Sequence, residues 1–224
     1  MKTIAIIPAR GGSKRLHKKN IKLLGGIPLI AHSILYAQVN SDVIDEIYVS
    51  TDDGEIKNTA LQFGAKVIDR PKSLAGDSEP TVSALKYTLQ QIDKPIENVI
   101  LLQPTNPLRP ENLVNEAFTI YKNSNYDSLF TVSANDYKLG KIIQNKYIPF
   151  NYEIGQRSQD LEPLFYEDGL LYISKAGLIL QDKIISENAF PFLVKSIFGK
   201  IDIDTQADFD YAEYLFNKHI KYNS

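Results

Sequence analysis

An α/β chain built on a mostly parallel, three-layer sheet is what this sequence predicts. Three observations carry the prediction: an apolar N-terminal run that stops at a glycine-rich turn, two further strand-like runs each followed by helical periodicity, and Pro or Gly punctuation between the units.

Thr3 to Pro8 (TIAIIP) is a β-branched apolar run ending at Pro-Ala-Arg-Gly-Gly, which reads as a buried strand and a tight loop. Pro28 can open a helix, and Ile30, Ile34 and Ala37 recur at helical spacing, predicting a helix over 28–39. The unit then repeats. Glu46 to Ser50 (EIYVS) is a strand, Thr51-Asp52-Asp53 offers N-cap groups, and Ile56, Ala60 and Phe63 carry a helix to Gly64. Asn98 to Gln103 (NVILLQ) is a third buried strand, broken by Pro104 and Pro107, with a helix expected over 111–121. Such alternation calls for parallel strands joined by crossovers. From about Tyr126 it weakens: 128–133 is strand-like, 141–152 hairpin-like and 170–174 (LLYIS) strand-like. Lys200 to Thr205 (KIDIDT) then leads into a helix on which Phe209, Ala212 and Phe216 face inward, with Thr205 and Asp208 as a T-x-x-D cap. With no repeat or low-complexity linker, 1–224 reads as a single domain carrying an excursion at about 140–168.

Composition narrows the function classes. The formal net charge is −2, with Lys and Arg spread along the chain, so a nucleic-acid partner has no electrostatic footprint. The absence of cysteine excludes disulfides, thiolate metal sites and a cysteine nucleophile. No run approaches the ~20 apolar residues that span a bilayer, and no signal-peptide core precedes the first strand, so a cytoplasmic protein without a membrane partner is expected. His17, His32 and His219 lack metal-ligand spacing.

Three segments can carry chemistry. In Arg10-Gly11-Gly12-Ser13-Lys14, adjacent glycines let backbone N–H groups approach an anion while Arg10 and Lys14 add charge. This is a polyphosphate cradle or a structural turn with solvated bases, and it matches neither the P-loop nor the dinucleotide fingerprint. Lys19 and Asn20 follow it. Asp202 and Asp204 alternate with Ile201 and Ile203, so on a strand both carboxylates share one face, either as a clamp for a hard cation or as a polar face capping the next helix. Gln103-Pro104-Thr105-Asn106-Pro107-Leu108-Arg109 stands beyond the carboxyl end of a central strand, where open α/β sheets place ligands and where proline-rich loops also simply end strands. Arg70, Arg157 and Tyr172 carry no signal individually.

Six segments taken together, IAIIPARGGSKRLHKKNI (4–21), STDDGEI (50–56), RPKSLAGD (70–77), LLQPTNPLR (101–109), DGLLYI (168–173) and DIDTQADF (202–209), resemble the acylneuraminate cytidylyltransferase family, the CMP-sialic acid synthetases, in the family's order along nearly the whole chain. The resemblance implies a Rossmann-like nucleotidyltransferase domain with a projecting dimerisation element, a homodimer, and Mg²⁺-dependent transfer of CMP from CTP to a nine-carbon 2-keto sugar acid with release of pyrophosphate. Residue by residue, it implies phosphate contacts from Arg10, Gly11, Gly12, Ser13, Lys14 and Lys19, and positions around the cytidine for Asn20, Arg70 and Thr81. It further implies a sugar pocket of Gln103, Lys141, Arg157 and Tyr172, with metal on Asp202 and Asp204. Arg10, Lys14, Lys19 and the two aspartates would be the catalytic set.

The departures concern the substrate. Where sialic-acid enzymes carry R-Q-x-L-P and then N-G-A-I-Y, this chain has RSQDLEPLFYEDGLLY, closer to the pseudaminic branch, whereas LLQPTNPLR is more like the sialic and legionaminic branches. Thr81 stands where serine is common, and His17-Lys18 replaces a common Pro-Gly. The same transfer onto pseudaminic or legionaminic acid, or more distantly onto the eight-carbon acid Kdo, is the alternative within the enzyme class. A nucleotide-binding module that lost its chemistry is the alternative outside it.

Overall fold

The structure is a computed structural model and describes residues 2–219. The chain opens with β1 (Lys2–Pro8), a small ribbon of β2 (Leu23–Leu24) and β3 (Ile27–Pro28), and α1 (Leu29–Val39). Next come β4 (Glu46–Thr51), α2 (Gly54–Gln62), β5 (Lys66–Asp69), α3 (Thr81–Gln90), β6 (Ile96–Leu101) and α4 (Leu113–Lys122). The remainder is β7 (Ser128–Asn135), the hairpin β8 (Gly140–Ile143) and β9 (Lys146–Pro149), β10 (Leu164–Lys175), α5 (Ala176–Leu180), β11 (Ala189–Leu193) and α6 (Gln206–His219).

Seven strands make one sheet in the order β11-β7-β10-β6-β1-β4-β5. β1 pairs in parallel with β4 and β6, β4 with β5, and β11 with β7, while β10 runs antiparallel between β6 and β7. The expected mostly parallel α/β sheet is present. β1, an interior strand, shows why the N-terminal run is continuously apolar: Ala5 and Ile7 pack on one face with Ile30 and Ile34 of α1, Ile56 of α2 and Val114 of α4. Ile4 and Ile6 pack on the other with Leu85 and Leu89 of α3 and Ile179 of α5. Helices therefore cover both faces, as a parallel sheet requires. A third apolar cluster joins Leu16, Leu108, Ile201 and Ile203 to Phe209 and Leu215 of α6, fastening the last helix over the loop end of the sheet.

The chain passes from β1 through α1 to β4 on one side, then returns through α3 to β6 on the other. The loops after β1 and β6 consequently diverge and open a crevice at the carboxyl ends of these strands. A register shift in β10 between Glu167 and Tyr172 faces the same end.

Some sequence expectations need correction. Residues 200–205 do not form a strand: Ile197–Lys200 is a 3₁₀ turn and 201–204 is extended chain without a ladder. The inward and outward alternation survives, because Ile201 and Ile203 enter the α6 cluster while the two aspartates stay at the surface of the crevice. Gln103 lies past the end of β6 and not on it. The chain rejoins the main sheet at Leu164, ahead of the expected end of the excursion at about 168. β5, α3, α5 and β11 had no sequence prediction. The T-x-x-D cap is formed: Asp208 N–H donates to Thr205 Oγ1 at 3.3 Å, and Thr205 N–H donates to an Asp208 carboxylate oxygen at 2.8 Å.

Candidate active site

The loop after β1 is shaped by the turn after β4. Gly11 N–H donates to Asp52 Oδ1 at 3.0 Å, and Asp53 caps α2 by accepting from Glu55 N–H and Ile56 N–H at 2.8 and 3.0 Å. A Cβ on Gly11 would lie 2.6 Å from Asp53 Oδ2, so the close approach of the two turns demands glycine. Asn20, buried, donates to Arg10 O at 2.9 Å and closes the loop from its far side. The amide of Gly11 is thus committed to the protein, and Ser13 N–H is committed to Gly11 O at 2.9 Å. The cations, more than the glycine amides, are presented to the crevice.

That crevice begins as a cleft of about 500 Å³ lined by Arg10, Ser13, Lys14, Lys19 and Asn20. Arg70, Thr81, Gln103 and Asp204 complete the sequence-predicted residues on its wall, whereas Gly11 and Gly12 are not part of it. Every basic group of the loop has an acidic partner. Asp77 binds Arg10 at 2.8 Å and also Lys14, and Asp204 binds Arg15 at 2.6 Å and Lys19 at 3.0 Å. The Lys14 ammonium hydrogen bond, with the charges of Lys14 and Arg10, holds the Asp77 carboxyl below its usual range. Arg70 is buried, and burial lowers its guanidinium pKa, with Asp52 opposing and Arg10 adding to the effect. Its Nε has no hydrogen-bond partner. Five bases (Arg10, Lys14, Arg15, Lys19 and Arg70) against three acids (Asp77, Glu79 and Asp204) leave a net positive cleft, suited to a polyanion.

A second cleft of about 610 Å³ adjoins it, and Gln103 lines both. Tyr172 and Asp202 are on its wall, with Glu167, Asp168 and Lys200. Tyr172 O–H donates to Glu167 Oε2 at 3.3 Å, and burial, followed by the Glu167 charge, raises the phenol above its usual range. Asp168 accepts from Thr131 and Ser133 hydroxyls at 2.5 and 2.8 Å and from Leu170 N–H at 3.1 Å. Lys141 and Arg157 line neither cleft. Lys141 lies on β8 over the Phe150 ring, and Arg157 pairs with Asp160 at 2.7 Å on the exposed chain before β10.

Asp204 therefore stands in the first cleft and Asp202 in the second. Burial and then the Asp204 charge push the Asp202 carboxyl up. The Asp204 charge acting on the Asp202 carboxyl is a repulsion that a divalent cation would relieve, and no group of three or more His, Cys, Asp or Glu suited to a metal occurs among the described residues. The pair fits a hard cation whose remaining ligands come from phosphates and water.

Sequence reasoning passed over several residues that build this site. Asp52 and Asp77 lay inside STDDGEI and RPKSLAGD, Asp52 as an N-cap candidate and Asp77 with no role, because pairing across 41 and more residues has no local signature. Arg109 is buried, donating to Leu170 O, Ser33 Oγ and Gln103 O at 2.7, 3.1 and 2.8 Å, with burial lowering its pKa to about 10. It clamps the Gln103 loop to β10.

Comparison with known proteins follows the same lines. A family model described as Cytidylyltransferase matches residues 4–224. A CMP-N,N'-diacetyllegionaminic acid synthase of Legionella pneumophila is 39% identical over an alignment covering 96% of each chain. A pseudaminic acid cytidylyltransferase of Campylobacter jejuni is 33% identical, covering 96% of this chain and 97% of that one. A solved CMP:2-keto-3-deoxy-manno-octonic acid synthetase, complexed with CTP, superposes with a TM-score of 0.76 at 18% identity, covering 98% of this chain and 100% of that one. At that identity the likeness concerns the fold. No helix among the described residues is long and apolar enough to cross a membrane.

Proposed function

The chain belongs to the cytidylyltransferase family, and from that premise we propose that it transfers CMP from CTP to a nine-carbon, sialic-acid-type 2-keto sugar acid, releasing pyrophosphate. The observation that carries this reading is the pair of adjoining clefts sharing Gln103, a cationic one reached by Asp204 and a second reached by Asp202. A nucleotide in the first and a sugar acid in the second would meet at the two carboxylates.

In this reading the anomeric hydroxyl oxygen forms a bond to the α-phosphorus as the bond to the pyrophosphate oxygen breaks, and the hydroxyl proton passes to water. Arg10 and Lys14 bind the β and γ phosphates and stabilise the charge that accumulates on the leaving group. Lys19, only 11% exposed and donating to Ile203 O at 2.7 Å, holds the Asp204 segment against the glycine loop. Arg70, Asn20 and Thr81, the first residue of α3, surround the cytidine side. Gln103 and Tyr172 orient the sugar. Asp202 and Asp204 would hold Mg²⁺, which when bound neutralises phosphate charge facing the sugar carboxylate.

The exposed apolar residues of the hairpin and its flanks, among them Ile142, Tyr147, Ile148, Phe150 and Ile154, support a homodimer contact, which light scattering would test by mass. The Legionella relative makes N,N'-diacetyllegionaminic acid the first sugar to offer, with pseudaminic, N-acetylneuraminic and Kdo acids beside it. Pyrophosphate release from CTP is the readout. Release with one nine-carbon acid, abolished by EDTA, is the expected result; release only with Kdo, or with none despite CTP binding, would sink the proposal.

A further inference from the structure

Asp202 and Asp204 stand on chain without a sheet partner, so side chains and one neighbouring loop must hold their separation. The carbonyl before Asp202, Ile201 O, accepts from Asn106 Nδ2 at 2.6 Å. Ile203, between them, donates its N–H to Thr105 O at 2.9 Å, and its carbonyl accepts from Lys19. Thr105 and Asn106 thus hold one side of the segment, and Lys19 the other.

Asn106 is only 1% exposed and its amide is fully used. Nδ2 also donates to Asp168 O at 3.0 Å, and Oδ1 accepts from Thr105 Oγ1 at 3.1 Å. Both Nδ2 partners are carbonyls, so the orientation of the amide is determined by its surroundings. Gly169, at φ +75°, lies against it closely enough that a Cβ there would sit 2.9 Å from Oδ1. One side chain thereby joins the shifted register of β10, which carries Asp168 on the second cleft, to the segment that carries both aspartates.

We propose that Asn106 is a positioning residue that sets the separation and aim of Asp202 and Asp204 across the boundary between the two clefts. This rests on the reading that the aspartates hold a divalent cation between nucleotide and sugar acid. Asn106 hydrogen-bonds neither the glycine loop nor any basic group paired with Asp77. Its loss leaves the phosphate cations in place while the two carboxylates lose their common reference. Support of this kind behind metal ligands alters metal affinity more than binding of the organic substrate.

The test uses the full chain with Asn106→Ser, which cannot span both carbonyls, and Asn106→Asp, which when ionised donates to neither. If the aspartate variant does not fold, the serine variant carries the test. Mn²⁺ binding in the presence of CTP is read by electron paramagnetic resonance of the free ion, CTP binding in EDTA by calorimetry, and turnover by pyrophosphate release. Mn²⁺ affinity and kcat should each fall at least ~10-fold, with CTP affinity in EDTA and the KM for CTP within about two-fold. Unaltered Mn²⁺ affinity in a folded serine variant would overturn the proposal, as would a matching loss of CTP binding in EDTA, the mark of a residue that only maintains the fold. An unsubstituted protein that turns over without a divalent cation would bring down the metal reading and this inference together; a cation-dependent protein with an indifferent serine variant would sink this inference alone.

Discussion

Asp77 binds Arg10 at 2.8 Å across the mouth of the cationic cleft and reaches Lys14 as well, so one carboxylate occupies both bases expected to hold the nucleotide phosphates. Phosphate must compete with it. Asp77→Asn should therefore tighten CTP binding, by about three- to five-fold because exposed ion pairs contribute no more than ~1 kcal/mol. Calorimetric titration with CTP checks this, and weaker binding would mean that Asp77 assists the nucleotide.

Gly11→Ala would place a methyl group 2.6 Å from Asp53 Oδ2 and 2.8 Å from its Cβ. Relief requires the two turns to part, which breaks the Gly11 to Asp52 bond and disturbs the cap of α2. The expected outcome is about 1–3 kcal/mol of destabilisation with a clear loss of CTP affinity. Denaturant unfolding and CTP titration of the same sample measure both.

Glu46 tests stability apart from the site. It lies at the start of β4, about 17 Å of strand from Thr51, and accepts from Lys2, Lys94, Lys66 and Tyr48 O–H at 2.6, 2.6, 2.7 and 2.6 Å. Hydrogen bonds from Lys2, then Lys66 and Lys94, hold its carboxyl well below the usual range. A depressed carboxylate pKa contributes stability that is full above the unfolded value of about 4.3 and is lost as pH falls through the folded value. Glu46→Gln should cost about 2 kcal/mol at pH 7, with the difference from the unsubstituted protein closing in acid and kcat unchanged. A pH series of urea melts decides it, and a constant difference down to acid would contradict the assignment.

Asp204→Ala and Lys14→Ala separate the roles at the cleft. The first should abolish most pyrophosphate release at limiting Mg²⁺ while the protein stays folded. The second should weaken CTP binding by ~10- to 100-fold, as for a charge-assisted contact. Full turnover in the first at limiting Mg²⁺, or wild-type CTP affinity in the second, would contradict these assignments.

The legible part of this molecule is local. Ile4 to Ile7 announced a strand buried on both faces, Gly11-Gly12 announced a turn, and Thr205 with Asp208 announced a helix start, because each depends on neighbours within a few residues. β5, only four residues of KVID, and β11, AFPFL with a central proline, carry too little pattern to stand out from loop. The strand assigned to KIDIDT was a reasonable inference from alternation, since an extended chain held by a loop and two side chains alternates in the same way as one held by a ladder.

By itself, then, the sequence determined the α/β class, the catalytic family its motifs resemble, and the two places, the first turn and the paired aspartates, where charge is concentrated. Tertiary structure alone decided how those charges are spent. It set Asp77 against Arg10 and Lys14, divided Asp202 and Asp204 between two clefts, and tied the loop they share to the aspartate segment through Asn106 and to β10 through Arg109. The reason is physical: backbone propensity and hydrophobic period act over a few residues, whereas an ion pair or a buried amide bond is made by whichever groups the sheet order brings within about 3 Å, at any separation along the chain.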